Sequence, residues 1–307
     1  MTLFEKYIKY VLKTLHIVLI QINILKYGGM HMDEYRKTGY LHDNFRIFHL
    51  TDTGQKEFSY HYHDFNKILI MLNGDVTYTI EGRSYNLQAN DIVFVKAGEV
   101  HKPVINSDAP YERIIIYVSP DYLDSHQKEN ADLNTCFHQA HKKQSHVLRM
   151  KSFSNSRLNS CIQRLESSLQ DKDFANELYH EVLFLEFMIE LNRAALCDAI
   201  TYLTNTSSNQ TILAVIEYLN THLTEDICID TLAEQFFLSR YYLMHSFKEE
   251  TGYTIGNYLA TKRLLLAKDM IATGKPITEV CYACGYKNYS TFSRAYKKNF
   301  GKAPRDN

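Results

Sequence analysis

Residues 231–252 read TLAEQFFLSRYYLMHSFKEETG, and residues 278–301 read TEVCYACGYKNYSTFSRAYKKNFG. The two stretches match in register: Gly252 corresponds to Gly301, Lys248 to Lys297, Phe247 to Tyr296 and Leu243 to Phe292, each pair 49 residues apart. The preceding Leu232-Ala233 and Val280-Cys281 are one residue out of step, which predicts a turn one residue longer in the second unit. Each unit reads as a short helix with a small inner residue (Ala233, Cys281), a tight turn through Leu238-Ser239 or Gly285-Tyr286, and a second helix. Ser239 and Asn288 are natural N-caps, because their side-chain oxygens can accept from N–H groups of the first turn. This is a helix-turn-helix layout, whose second helix enters a DNA major groove. Thr254–Thr273, stopped by Gly274 and Pro276, predicts one long helix between the units. Such a spacer sets both reading helices to enter successive major grooves, about 34 Å apart, so one protomer would read a bipartite site.

The charge distribution agrees. The 307-residue chain has a net charge of −1, but residues 240–307 hold 12 Lys and Arg against five Asp and Glu, a net of +7 that leaves −8 on residues 1–239. A basic end on an acidic body points to a polyanion for that end. The composition, 45% hydrophobic and 22% charged, is that of a globular protein. Six cysteines form no framework, which implies reduced thiols and a cytoplasmic location.

In the first reading helix Leu243 and Phe247 face inward, leaving Arg240, Tyr241, Met244, His245 and Lys248 outward. In the second, Phe292 and Tyr296 face inward, Tyr289, Ser290, Ser293 and Arg294 face the groove, and Lys297 and Lys298 face the backbone. Arg294 is the candidate for bidentate readout of guanine. Residues 212–305 resemble the DNA-binding domain of the AraC/XylS family of bacterial transcription regulators. The resemblance rests on Leu232-Ala233, Leu238-Ser239, Leu243, Phe247-Lys248, Gly252, Tyr258-Leu259, Arg263-Leu264, Ala267, Ile277, Gly285-Tyr286, Phe292-Ser293-Arg294, Tyr296-Lys297-Lys298, Gly301 and Pro304. Cys281 stands where the family has Ala, and Tyr286 and Tyr296 where it has Phe. The resemblance implies promoter DNA and RNA polymerase as partners, with activation the commoner mode. It also puts Tyr241, Met244 and His245 at base-facing positions, while Arg240 and Lys248 suit phosphates.

Residues 45–119 carry short alternating apolar runs without a helical pattern, as in Val76, Tyr78 and Ile80, which predict a small barrel or sandwich. Around HYHDFNK (61–67), the elements His61-x-His63, Gly74, Asn90-Asp91 and Gly98-Glu99-Val100-His101 resemble the two motifs of cupin barrels, which many AraC-type regulators carry as an effector domain. His61, His63 and His101 match the metal-binding positions of metal-bearing cupins, but Lys67 replaces the acidic ligand, and Asn90 and Lys96 replace a Gly and a Pro. An ammonium there repels a cation, so the expectation is no metal and no cofactor. Instead His61, His63, Lys67, His101 and Tyr78, with Tyr60 and Tyr62 as further candidates, would line a site for a small polar effector, possibly a sugar. Neither part offers another nucleophile–base set, so no enzyme activity is expected. Cys281-x-x-Cys284 lacks a second pair and falls where the repeat needs small apolar residues.

The expected fold class is α+β in two domains: a cupin-like β-barrel with following helices, then an all-α tandem helix-turn-helix. Residues 1–31 read as a leader or misassigned start, with Met30 or Met32 as alternatives to Met1. The apolar stretch from Tyr7 to Leu25 is too interrupted to span a bilayer. Residues 32–203 form the sensing and dimerisation domain, 204–210 the polar linker and 211–307 the DNA-binding domain. Ser154–Gln170 and Phe174–Ala199 predict helices. The second has Leu178, Val182, Leu185 and Ile189 on one face and Phe184 and Met188 besides, so it is a candidate for packing on both sides, including a homodimer contact. Two alternatives stay open: a metal-dependent cupin enzyme fused to a DNA-binding domain, and a regulator whose barrel only dimerises.

Overall fold

The computed structural model describes residues 39, 41, 43–54, 56–169, 171–197, 200–206 and 209–306. The expected leader over residues 1–31 lies outside them. All described residues fall in one compact unit. Nine strands, β1 (Phe45–Asp52), β2 (Asn66–Asn73), β3 (Val76–Ile80), β4 (Arg83–Leu87), β5 (Ile92–Val95), β6 (His101–Ile105), β7 (Tyr111–Val118), β8 (Val147–Met150) and β9 (Ile200–Tyr202), make two antiparallel sheets among the described residues. One sheet runs β1-β7-β2-β5-β8-β9 and the other β4-β3-β6, with no strand pairing between them, so the barrel is open.

Alternation explains the two cores. Successive strand side chains point to opposite faces. On β2 and β7, Ile68, Ile70, Ile114, Ile116 and Val118 therefore pack toward the helices, while Leu69, Met71, Tyr111 and Ile115 pack between the sheets with Tyr78 and Val93. Both faces being buried accounts for the near-continuous apolar runs. Lys67 breaks the inner run: it is paired with Tyr117 across β2 and β7, two positions from Leu69–Ile115 and four from Met71–Arg113. Lys67 and Arg113 thus share the inner face.

The covering helices are α1 (Pro120–Ser125), α2 (Thr135–Lys142), α3 (Arg157–Ser168) and α4 (Asn176–Ala195). On α4 the buried stripe is Leu183, Phe184, Phe187, Met188 and Leu191. The stripe expected from periodicity, Leu178, Val182 and Ile189 with half-buried Leu185, lies on the other side and is exposed at 61%, 52% and 42% for the first three. Both faces are apolar, and packing chose the bulkier one.

The remaining helices are α5 (Gln210–Thr221), α6 (Ile229–Gln235), α7 (Arg240–Thr251), α8 (Ile255–Ala272), α9 (Ile277–Ala283) and α10 (Tyr289–Phe300). The two expected N-caps form, Ser239 accepting from Tyr242 N–H and Asn288 from Thr291 N–H, and Thr254 caps α8 in the same way by accepting from Asn257 N–H. The repeat extends to the backbone. Leu238 N–H donates to Ala233 O at 2.8 Å, and Tyr286 N–H to Cys281 O at 3.1 Å; Gly252 and Gly301 close α7 and α10 at φ 76° and 77°. The extra residue of the second turn is therefore Lys287. Helix α8 joins two separate cores, with Tyr258 and Leu259 in the first and Leu264 and Ala267 in the second. Arg263 ties them together, donating to Leu223 O (2.6 Å) and Glu225 O (2.6 Å) of the first unit and Gly285 O (3.2 Å) of the second.

At the turn, Gly285 (φ 86°) has Phe237 (φ 55°) as its counterpart, and that ring is 96% exposed. A left-handed backbone costs a residue with a Cβ about 1–2 kcal/mol, and the exposed ring recovers nothing by burial. Phe237→Gly is therefore expected to stabilise the chain by roughly 1 kcal/mol, read as a higher urea midpoint. Gly285→Ala should lower that midpoint, because its Cβ would also meet Arg263 Nε and Thr224 O at 3.0 Å.

Candidate functional site

The inner face of the open barrel encloses a cavity of about 410 Å³, lined by His61, His63, Lys67, Tyr78, Tyr111, Arg113 and Tyr117 among others. Its size suits a small metabolite. Lys67 is buried; its Nζ donates to Tyr78 Oη at 2.9 Å and lies 3.4 Å from His101 Nε2. Burial, with Arg113 nearby, pushes its pKa down to about 7. Burial likewise brings His61 down to about 4, with the Lys67 charge adding to it. His101 is held well below its usual range by burial and then by Lys67. The imidazoles of His61 and His101 are therefore neutral at physiological pH.

The ligand atoms of His61, His63 and His101 lie within 4.8 Å of one another, close enough to raise the question of a metal. Against one stands Lys67, which takes the place of an acidic ligand. His101 Nδ1 lies 3.0 Å from Glu99 O and so carries the proton, which leaves the Nε2 lone pair as the acceptor for Lys67. A metal would need that lone pair, and would stand beside an ammonium. His101 sits behind Lys67 and is absent from the cavity wall. Cys281 and Cys284 are buried in the second helix-turn-helix core, where Cys284 Sγ donates to Cys281 O.

The segment Tyr60–Asp64, pinned to β6 by the His61–His101 bridge, alternates between two duties. His61 and His63 line the cavity. Tyr62, expected in the pocket, instead turns away and donates to Asn299 Oδ1 of α10 at 2.8 Å, and Asp64 pairs with Lys268 of α8 at 3.0 Å. The Tyr60 carbonyl accepts from Tyr253 Oη at 2.6 Å. A Cβ at Gly252 would fall 2.4 Å from the Tyr60 ring, so this glycine is needed for close approach as well as for its positive φ.

A second seam is built on Glu81 in the β3–β4 turn. Its carboxylate is buried and accepts from Lys262 Nζ (3.0 Å), Val100 N–H (2.7 Å) and the Tyr258 hydroxyl. Burial alone would raise its pKa, but Lys262, Tyr258 and the Val100 amide outweigh it and hold the carboxyl below its usual 4.5.

On α7, Tyr241 (78% exposed) and Met244 are exposed with His245, and Lys248 is half-buried. Arg240 is exposed but engages Asp230 through Nη1 at 2.9 Å. On α10, Ser290, Arg294, Lys297 and Lys298 are exposed, Ser293 is half-buried, and Tyr289 is partly turned onto Phe292 of the core. Arg294 Nε donates to Ser290 O at 3.2 Å.

A model described as AraC-like ligand binding domain matches residues 46–188, and one described as Helix-turn-helix domain matches residues 232–306. This chain belongs to the AraC family. Among AraC-family relatives, the HTH-type transcriptional activator RhaS of Citrobacter koseri is 24% identical over 255 residues, 82% of this chain and 88% of that protein. RhaS of Escherichia coli is 26% identical over the same shares. The structure of ToxT from Vibrio cholerae is similar at 14% identity and TM-score 0.34, covering 86% of this chain and 97% of that one. The chain is thus a ligand-responsive, DNA-binding transcription regulator, and among its described residues no helix is long and apolar enough to cross a membrane.

In this AraC-family chain the sequence reading missed Arg113, Tyr111 and Tyr117 in the cavity and the whole Glu81–Lys262–Tyr258 cluster. For Arg113 there was a signal: in YERIIIYV it is a charge at an inward position of an alternating strand. Glu81 and Lys262 lie 181 residues apart and carry no local mark. Because the folded Glu81 carboxyl is depressed, its contribution to stability is present above its ordinary pKa of 4.5 and is lost as pH falls through the lower folded value. Glu81→Gln is expected to flatten that part of the acid dependence in melts between about pH 7 and 3. Glu81→Ala, which strands Lys262, should cost about 3–5 kcal/mol.

Proposed function

We propose that the chain is an effector-controlled activator of small-metabolite genes, carbohydrate genes foremost, acting on promoter DNA in contact with RNA polymerase. The single observation that carries the control step is the alternation of Tyr60–Asp64. From His61 onward the odd members line the cavity, as Tyr60 does before them, while Tyr62 and Asp64 hold α10 and α8. A ligand that moves His61 or His63 must move the neighbours that restrain the DNA-binding part, since interleaved residues of one extended segment share a backbone. The RhaS relatives are named transcriptional activators, which supports the sign of regulation. The cupin-enzyme reading requires a metal, and Lys67, 3.4 Å from His101 Nε2, stands against it.

On DNA, α7 and α10 of one protomer would read two half-sites. Tyr241, Met244, His245, Ser290, Ser293 and Arg294 face bases, with Tyr289 at the edge, and Arg240, Lys248, Lys297 and Lys298 face phosphates. Arg240 exchanges Asp230 for phosphate on binding. In binding titrations, Arg294→Ala should relax preference at one base pair by about 1–3 kcal/mol, whereas Lys297→Ala should weaken cognate and random DNA alike and lower the salt slope by about one. Equal effects of both on both DNAs would remove the assignment.

The stripe of α4 made by exposed Leu178, Val182 and Ile189, with half-buried Leu185 beside them, is the surface through which two copies pair. Val182→Glu is expected to convert the dimer to a monomer in sedimentation while leaving the melting midpoint within a few degrees, because the residue makes no use of the folded core.

A further inference from the structure

We infer that the ligand of the barrel cavity is an anion, a small carboxylate in the form of a sugar acid, held between Lys67 and Arg113. This rests on the reading of the cavity as the effector site and assigns the chemical class of what fills it.

Lys67 is 5% exposed and, among the described residues, has only neutral partners, Tyr78 Oη and His101 Nε2, which use two of its three N–H groups. Arg113, also 5% exposed, gives Nη2 to Asp52 at 2.6 Å and Nη1 to Tyr111 O at 2.9 Å, while its Nε finds no partner among the described residues. Asp52 is already shared with Lys56 at 2.8 Å. The only carboxylate among the described lining residues is Glu57, which is exposed. Among the described residues the cavity therefore holds a buried amine, poised between its charged and neutral forms, with no counter-ion, and a buried guanidinium N–H with no acceptor. Either defect is costly, and one carboxylate satisfies both. Beyond that carboxylate, His61 and Tyr117 on the wall can exchange hydrogen bonds with hydroxyls. The cleft beneath α2, about 190 Å³, is different: its Glu81 and Glu99 already have Lys262 and His146, and its cations Arg83 and Lys96 are only half-buried.

The test uses the full-length protein and three probes at constant ionic strength, acetate, galacturonate and galactose, with affinities taken from the ligand dependence of the melting midpoint. Galacturonate is expected to bind about tenfold or more tighter than galactose, and acetate to bind measurably over chloride. Lys67→Met should weaken both acids about tenfold or more while leaving galactose unchanged. Ligand-free Lys67→Met should melt above wild type, since it removes an uncompensated charge; Lys67→Gln, closer in shape, carries the same comparison should the methionine variant fail to fold. Acid and sugar binding alike, unchanged in both variants, overturns the anion and leaves the effector pocket standing. Zinc that raises the midpoint of wild type but not of His63→Ala assigns the cavity to a metal and overturns the anion too. No shift with any probe also overturns it; if a regulated reporter then keeps its response when Leu69→Trp fills the cavity, the effector-pocket reading falls as well.

Discussion

The arrangement depends on one buried carboxylate. Glu81 sits at a tight hairpin turn with a positive φ of 47°, and from there it draws Lys262 and Tyr258 of α8 onto the barrel. Helix α8 is the member that both helix-turn-helix cores share, so holding it at its middle holds both reading helices. Arg263, next along α8, then fixes the second unit against the first through three backbone carbonyls. The carboxylate tolerates burial because both of its oxygens accept hydrogen bonds, three in all, two of them from the other half of the chain. The seam thus has a dense polar part, beside which Val100 and Tyr60 of the barrel pack into the first helix-turn-helix core.

A polar seam of this kind is suited to switching. Apolar interfaces lose stability in proportion to the area exposed, whereas a few hydrogen-bonded ions can exchange partners with water at a modest net cost. Tyr62–Asn299, Asp64–Lys268 and Tyr253–Tyr60 add three polar contacts on the side nearest the cavity. They stand close to the neutral histidines and the uncompensated Lys67, so the least satisfied part of the molecule adjoins the part that can rearrange.

What was legible in the sequence follows from the range of the forces involved. The helix-turn-helix units were readable because caps and turns are local: Ser239, Asn288, Gly252 and Gly301 act within four residues of themselves. The α+β class and strand order of hydrophobicity were readable because alternation reports burial. Which apolar stripe of α4 faces inward was not, since Phe184 and Val182 are both apolar and only the shape of the sheet beneath selects between them. Phe237 shows its left-handed backbone only by alignment with Gly285. Tyr62 looked like a pocket residue because tyrosines suit pockets, yet the period of two sends it opposite to His61 and His63. The seam could not be seen at all, because Glu81 and Lys262 meet only once both halves have folded.

That period of two has a consequence for how such a protein changes over generations. Positions 61 and 63 can be substituted to suit a new small molecule while 62 and 64 keep their grip on the helices, so specificity can drift without loss of control. Insertion or deletion of one residue within the segment would exchange the two sets and destroy both functions together. Relatives are therefore expected to vary in side chain at the odd positions and to hold the length of this segment constant.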